Sequence, residues 1–383
     1  MNSYSQPQRS FLADQVAEIL RRELSTNRWK DRLPAERSLA RAMNVSRPTL
    51  RAALHRLLAA NELAVLPRNG YIIRRAGQRR AKPPKRQRSE IGLICPQQIY
   101  SMPPHVIQVV DVLRGLCAEA GLPVELFEGP RFSRTRPGLV MPRLVRSRPN
   151  ACWVAIMAGR RLQEWLAKSD APVVLYGNRY ADLRIPSVGI DYRACVRHAT
   201  AQLLARGHRH IVFVNFDPER AGDQESMSGF FEAFAAFKSN SGAGGLLGGR
   251  NSPEPVVISR PDDDIAALRR QLDRLVAMRP GPTAFIVSRT HHYATVATHL
   301  MRKGLMIPRD VSLISRGDDP FLHFLSPAPA HYRVNIDLLG RRLFRCVQQM
   351  TAGAEAPCDR LEVVPDYIAG ETIGPVSNRT PET

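Results

Sequence analysis

Residues 74–89 (RRAGQRRAKPPKRQRS) divide this chain before anything else about its fold can be argued. The stretch holds eight basic residues, no acid, two adjacent prolines and no large apolar side chain. With nothing to bury it cannot join a core, so it reads as an exposed linker. The residues before it and after it must therefore fold on separate cores. At about 150 residues per domain, a chain of 383 allows two or three.

Charge follows the same division. Lys and Arg number 55 against 35 Asp and Glu, a formal net charge of +20. Residues 1–89 hold 20 basic and 6 acidic side chains, whereas the other 294 residues hold 35 and 29. Positive charge concentrated in one short segment points to nucleic acid as that segment's partner. Only six of the basic residues are Lys, and the Arg scattered over the remainder says little about partners.

Several classes are excluded at this level. Apolar residues at 44% and charged residues at 23% suit a globular protein rather than wholesale disorder. No run approaches the roughly 18 apolar residues of a membrane span. The polar start, residues 1–10, has no apolar export segment, so a cytoplasmic location without membrane contact is expected. Cysteines 95, 117, 152, 195, 346 and 358 are scattered with no C-x-x-C pair, as reduced thiols would be.

From residue 10 to residue 75 the pattern predicts three helices and a hairpin. The first helix spans about 11–24, with Leu12, Val16, Ile19, Leu20 and Leu24 inward. A short second helix, about 35–43, leads into the turn Asn44-Val45-Ser46. A third starts near Arg47 with Ser46 as N-cap. Leu50, Ala53, Leu54, Leu57 and Leu58 form its buried stripe, which places Arg47, Pro48, Arg51 and His55 on an outward face. Two short helices joined tightly, the second exposing Arg, have the geometry that enters a major groove. Ala64-Val-Leu and Tyr71-Ile-Ile flank Asn69-Gly70, which predicts a hairpin closed by a two-residue turn, a wing beside that helix.

At these residues the chain resembles the GntR family of winged helix-turn-helix regulators. The resemblance is carried by residues 33–65 (LPAERSLARAMNVSRPTLRAALHRLLAANELAV) and 67–73 (PRNGYII). It implies DNA contacts from Arg37, Arg47 and Arg51, and from Thr49, Arg68 and Gly70. Two positions depart from the family: Ala35 stands where a Ser usually caps the second helix, and Pro48 replaces a residue often able to hydrogen-bond DNA.

Beyond the linker, apolar runs alternate with amphipathic helical patterns. Strands are expected at 91–95, 124–127, 152–156, 173–176, 187–190, 211–214, 256–258, 283–287 and 311–315. Helices are expected at 106–120, 193–205, 229–237, 265–278 and 293–303. Such alternation calls for parallel sheets covered on both faces. The Gly-rich 241–250 (SGAGGLLGGR) lacks the Lys and Ser/Thr of a phosphate loop and reads as a surface loop.

Residues 90–375 resemble the effector domain of the LacI family. The segments that carry this are 185–214 (IPSVGIDYRACVRHATAQLLARGHRHIVFV), 226–234 (SMSGFFEAF), 282–320, 334–344 (VNIDLLGRRLF) and 360–368 (RLEVVPDYI). The whole chain is thus expected to be multidomain: a small α+β winged helix-turn-helix followed by a two-lobed α/β, type I periplasmic-binding-protein-like domain with parallel sheets. The domains would be residues 1–75, a basic linker 76–89, a sensing domain 90–375 and a tail 376–383. The resemblance puts interlobe crossovers near Asp191 and Asn335, and both C-terminal strands in the second lobe.

Ligands of doubly wound sheets bind beyond the carboxyl ends of the strands, here between the lobes. The candidates are Gln97, Gln98 and Tyr100, Asn178 and Arg179, Arg260, Arg289 and Asp318. Ser226 stands where the family offers an Arg to a sugar or purine, and Arg289-Thr290 replaces its Asn-Asp pair. One cationic donor is lost and another gained nearby, so a sugar or sugar acid is the expected effector. His208-x-His210 and His291-His292 lack a carboxylate or Cys spaced to complete a metal site, and no cofactor is expected.

The resulting reading is not an enzyme but a ligand-controlled repressor that binds double-stranded operator DNA as a homodimer, since the tail has no heptads for a larger coiled coil. One alternative is a constitutive DNA-binding regulator with a vestigial cleft. Another is a pyridoxal-phosphate aminotransferase fused behind the winged domain. That fold needs a longer chain and a Schiff-base lysine, and beyond residue 89 only Lys168, Lys238 and Lys303 exist, each in or next to a helical pattern.

Overall fold

A computed structural model of the chain describes residues 10–25, 29, 32–59, 62–66, 70–73, 89–132, 137–240, 254–259, 264–354 and 359–376. Arg68, Arg260, residues 74–88, the Gly-rich 241–250 and the tail beyond 376 lie outside the described residues. Two compact units divide the chain, Met1–Arg86 and Gln87–Thr383.

The first unit contains α1 (Ser10–Ser25), α2 (Glu36–Ala42), α3 (Arg47–Ala59) and an antiparallel pair, β1 (Leu63–Leu66) and β2 (Gly70–Ile73). Its core joins Val16, Ala17 and Leu20 of α1 to Leu50, Ala53, Leu54 and Leu57 of α3. The buried stripe of α1 is rotated from the expected one. Ala13 and Ala17 face inward, while Leu12 and Ile19 are 52% and 49% exposed. Both stripes fit a helical period, and small alanines at a close helix contact give little hydropathy signal. Asn44 takes φ 51° between α2 and α3, a left-handed position that Asn tolerates. The Thr49 amide donates to Ser46 Oγ at 3.3 Å, so Ser46 caps α3. The hairpin also differs from expectation, because Leu66 pairs with Gly70. Gly70 is therefore a ladder residue, and three residues rather than two separate the paired ends.

The second unit holds two lobes. In the first lie β3 (Glu90–Cys95), α4 (Pro104–Glu119), β4 (Val124–Glu128), α5 (Pro137–Ser147), β5 (Ala151–Ile156), α6 (Arg160–Ala167), β6 (Val173–Tyr176) and β7 (Ser187–Ile190). The second contains α7 (Tyr192–Ala205), β8 (His210–Asn215), α8 (Ala221–Asn240), β9 (Glu254–Ser259), α9 (Ile265–Ala277), β10 (Ala284–Val287), α10 (Thr290–Arg302), β11 (Ser312–Ser315) and β12 (Ala330–Arg333). The chain then returns to the first lobe as α11 (Ile336–Thr351) and β13 (Arg360–Val363), and ends in the second as β14 (Asp366–Ile368).

The first sheet is parallel throughout, in the order β13-β7-β6-β5-β3-β4. Residues of α4 and α11 pack on one face and residues of α5 and α6 on the other. The second sheet runs β14-β12-β11-β10-β8-β9, parallel except for β14 at its edge. Its two faces are covered by α7 with α8 and by α9 with α10. The lobes are thus linked three times, at Asp191, at 334–335 and at 364–365. Asp191 and Asn335 both act as N-caps, accepting from the Ala194 and Leu338 amides. The third link corrects the expected lobe composition: β13 pairs with β7 in the first lobe, and only β14 joins the second. The stretch 360–368 (RLEVVPDYI) changes sheet at Val364-Pro365, where Pro365 has no amide to continue a ladder.

In both sheets the strand order reverses beside a central strand, β3 in one and β8 in the other, and the loops leaving those strands face each other. The close packing of α7 on α8 depends on Gly229, where an added Cβ would sit 2.1 Å from the Arg193 carbonyl oxygen. Gly229→Ala is expected to destabilise the second unit by about 1–3 kcal/mol through forced backbone displacement. Thermal unfolding checks this, and an unchanged midpoint would contradict the packing described.

Candidate functional site

The outward face of α3 is built by its buried one. With Leu50, Ala53, Leu54 and Leu57 wholly inside, Arg47, Pro48, Arg51 and His55 are exposed. Glu36 at the start of α2 organises this surface. Its carboxylate accepts from Arg51 Nε at 2.8 Å and from the Tyr71 hydroxyl of β2 at 3.1 Å, with Arg47 at 4.0 Å. One carboxylate therefore ties the first helix of the pair, the second helix and the wing strand together. Burial pulls the Glu36 pKa up, but Arg51, Tyr71 and Arg47 outweigh it and hold the carboxyl below its ordinary range.

The second candidate is the cleft between the facing loops, with a volume of about 430 Å3. The first lobe lends Gln97, Met102, His105, Met157, Arg160, Asn178 and Tyr180. The second lends Arg220, Asp223, Ser288, Arg289, Arg316 and Asp318, and Tyr192 lies just after the first crossover. Arg316 is the most buried cation, 6% exposed. It donates to Asp223 at 2.7 Å and to Ser226 Oγ at 2.5 Å, with its guanidinium carbon 4.2 Å from the centre of the Tyr192 ring. Burial works against its charge, yet Asp223 and Tyr192 raise its pKa further. On the opposite wall His105 is held neutral: burial, Arg289 and Arg316 push its pKa down to about 4 against the opposing pull of Asp318.

Two family models match the chain. Residues 12–73 match bacterial regulatory proteins of the gntR family, and residues 200–373 match a periplasmic binding protein-like domain. The chain joins a gntR-family helix-turn-helix domain to a periplasmic-binding-protein-like domain. The "HTH-type transcriptional repressor PurR" of Vibrio cholerae serotype O1 (strain M66-2) is 23% identical over 175 residues, 46% of this chain and 48% of that protein. The chain thus spans about half the length of the curated relatives it matches. Among solved structures, a periplasmic binding protein/LacI transcriptional regulator from Alkaliphilus metalliredigens QYMF, complexed with D-xylulofuranose, has TM-score 0.58 and 19% identity, covering 74% of this chain and 99% of that one. CcpA of Lactococcus lactis has TM-score 0.61 and 19% identity, with coverages of 74% and 99%. These likenesses give the fold of the second unit.

Within the gntR-family domain, Arg37, Arg47 and Arg51 are exposed and Thr49 is half-buried, its hydroxyl 2.7 Å from Ser46 Oγ. Gly70 sits in the wing ladder. Within the periplasmic-binding-protein-like domain, Gln97, Asn178, Arg289 and Asp318 line the cleft. Four expected positions do not: Gln98, Tyr100, Arg179 and Ser226. Tyr100 is 73% exposed, lies outside the cleft lining and donates to Gln98. Ser226 is buried beneath the cleft with its hydroxyl bonded to the Gly222 carbonyl and to Arg316. Asn178 lines the cleft, but its amide donates to the Ile190 carbonyl and Glu362 beside the crossovers. Arg179 pairs with Asp359.

Sequence reasoning missed Arg316, Asp223, Tyr192 and His105. Arg316 sits in the S-R-G-D-D-P turn, where the two acids drew attention, and its partner Asp223 is 93 residues away. A helix start at Pro104 was the available signal for His105. His208 is internal: its ring nitrogens meet Thr283 Oγ1 at 2.9 Å and the Gly374 carbonyl at 3.0 Å.

Proposed function

We propose that the protein is a ligand-responsive, sequence-specific DNA-binding transcriptional regulator. It acts in the cytoplasm as a homodimeric repressor, and a small molecule between the lobes changes its operator affinity. The observation that carries this is the exposed Arg47 and Arg51 face on the second helix of a helix-turn-helix, in one chain with a cleft at the switch points of two doubly wound sheets. Arg37, Arg47, Thr49, Arg51, Arg68 and Gly70 contact the DNA. Of the expected ligand residues, Gln97, Asn178, Arg289 and Asp318 are retained. A sugar-like effector is supported by the D-xylulofuranose held by one protein of this fold. A dimer places two winged domains on half-sites about 34 Å apart or a multiple of that, so a small interlobe rotation alters the fit.

Selection of duplexes from a random pool by the full chain tests this reading. The expected outcome is a two-half-site sequence bound at least about 10³-fold tighter than random duplex. Binding of all duplexes with equal affinity would overturn it.

The internally satisfied Asn178 and Ser226 favour one alternative, a constitutive regulator with a vestigial cleft. A thermal-shift screen separates the two. An occupied site raises the melting midpoint as RT ln(1 + [L]/Kd) grows, whereas a vestigial cleft gives no response to a broad panel of sugars and sugar acids.

A further inference from the structure

Four arginines line the cleft among the described residues, and three of them have a carboxylate partner. Arg160 pairs with Asp182 and Glu164, Arg220 with Asp217 at 3.3 Å, and Arg316 with Asp223 at 2.7 Å. Arg289 has none. Its guanidinium carbon lies 4.2 Å from the centre of the Phe216 ring, and its Nε is buried without a hydrogen-bond partner. Stacking on Phe216 offers no lone pair to its five N–H groups. Asp223, the acid whose charge acts on it, is bonded to Arg316 at 2.7 Å. Burial, opposed by Asp223 and reinforced by Arg316 and Arg220, pulls the Arg289 pKa below its ordinary value. Arg289 is half-buried with its Nε shut off from water, and a cation so placed without a carboxylate partner is completed by an anion.

Neighbouring groups have the same preference. Ser288, only 5% exposed, lines the cleft with its hydroxyl unpartnered. Across the cleft lies the amino end of the 16-residue α4, where Pro103 and Pro104 have no N–H and the His105 amide, with the positive end of the helix dipole, is what can meet an anion. Arg289 begins α10 as its N-cap, so a second helix start lies on the facing wall.

The geometry points to an anionic effector, a sugar acid or sugar phosphate class molecule, whose acid group binds Arg289 and Ser288 of the second lobe and the His105 end of α4 in the first. This rests on the ligand-controlled reading above and deepens it. The acid group then works as an interlobe clasp, because it satisfies groups on both walls only when they close on it. It also offsets the charge of Arg289, which after burial is the next cause that holds the His105 pKa down. The His105 pKa rises on binding, and a proton is taken up. The sign follows: affinity increases as pH falls through the higher pKa of His105 in the complex toward its free value of about 4. The other charged groups acting on that imidazole are Arg316 and Asp318.

The test uses the full chain, with D-glucose, D-gluconate, D-glucose 6-phosphate and sulfate as probes at constant ionic strength. The two sugar anions distinguish a carboxylate from a phosphate source. Thermal shift is expected to respond to at least one sugar anion and not to glucose, and Arg289→Gln to weaken that response about tenfold or more. Without ligand, Arg289→Gln should melt no lower than the parent, since it removes a half-buried cation that has no carboxylate partner. Sulfate, whose charge is constant over this range, should bind more tightly at pH 5 than at pH 7.5, and His105→Gln should abolish that difference. Three results would overturn the proposal: glucose binding as well as its anions, an anion response intact in Arg289→Gln, or no response to any anion. The same preparations are assayed against the selected duplex. Loss of sequence-specific binding there counts against the regulator reading, whatever the anions do.

Discussion

Alanine at both Arg47 and Arg51 is expected to weaken binding to a selected operator by roughly 10²- to 10⁴-fold without lowering the melting midpoint. The magnitude follows from about 1–3 kcal/mol of discrimination per bidentate contact between an arginine and a base. The unchanged stability follows from where these side chains lie. Both are 57% exposed, and the residues holding α3 in place, Leu50, Ala53, Leu54 and Leu57, are untouched. The Arg51–Glu36 pair is lost, but an ion pair this exposed contributes at most about 1 kcal/mol. Salt dependence sorts the two roles. A residue that reads a base relaxes the sequence preference, whereas one that meets only phosphate lowers the slope of log affinity against log salt by about one. Affinity equal to the parent's on the selected duplex would remove α3 as the reading element.

Asp223→Ala is expected to have the largest effect on stability, about 3–5 kcal/mol in the second unit. Removing that carboxylate leaves Arg316 buried with no counter-charge, a far larger penalty than the pair's own net contribution. At about 2–4 °C per kcal/mol the melting midpoint of that unit falls by some 6–20 °C. The double variant Asp223→Leu with Arg316→Met should recover most of the loss, because a buried ion pair replaced by apolar side chains is often neutral. Equal destabilisation by the single and double variants would show that Arg316 serves packing on Tyr192 more than charge.

The sequence was readable where local pattern and tertiary packing agree. Buried parallel strands are short apolar runs, so β3, β5, β6 and β10 lie within a residue of their expected places. The Ser46 cap and the outward face of α3 follow from residues three or four apart. Elsewhere the deciding contacts were distant or chemically weak in pattern. α6 (RRLQEWLA) is only eight residues long and opens with two arginines, and α5 carries Pro142 inside it, so their apolar faces are too short or interrupted to mark a helix. The inward turn of Ala13 and Ala17 depends on how closely α1 approaches α3, which hydropathy does not report. The resemblance marked position 226 as a departure. It gave no sign that Arg316, 90 residues on, would reach the Ser226 hydroxyl. Arg289 was expected in the cleft. Its lack of a counter-charge emerged only once its neighbours were placed.

Ligand control of transcription requires that the DNA-reading face and the ligand cleft be coupled. The direct measurement is the affinity of the full chain for its selected operator, by fluorescence anisotropy, with and without the sugar anion that gives the largest thermal shift. A coupling free energy of about 1–3 kcal/mol predicts a change of roughly 5- to 150-fold, and the operator must alter the anion's affinity by the same factor. Operator affinity that stays the same within twofold, while thermal shift shows the anion bound, would contradict it.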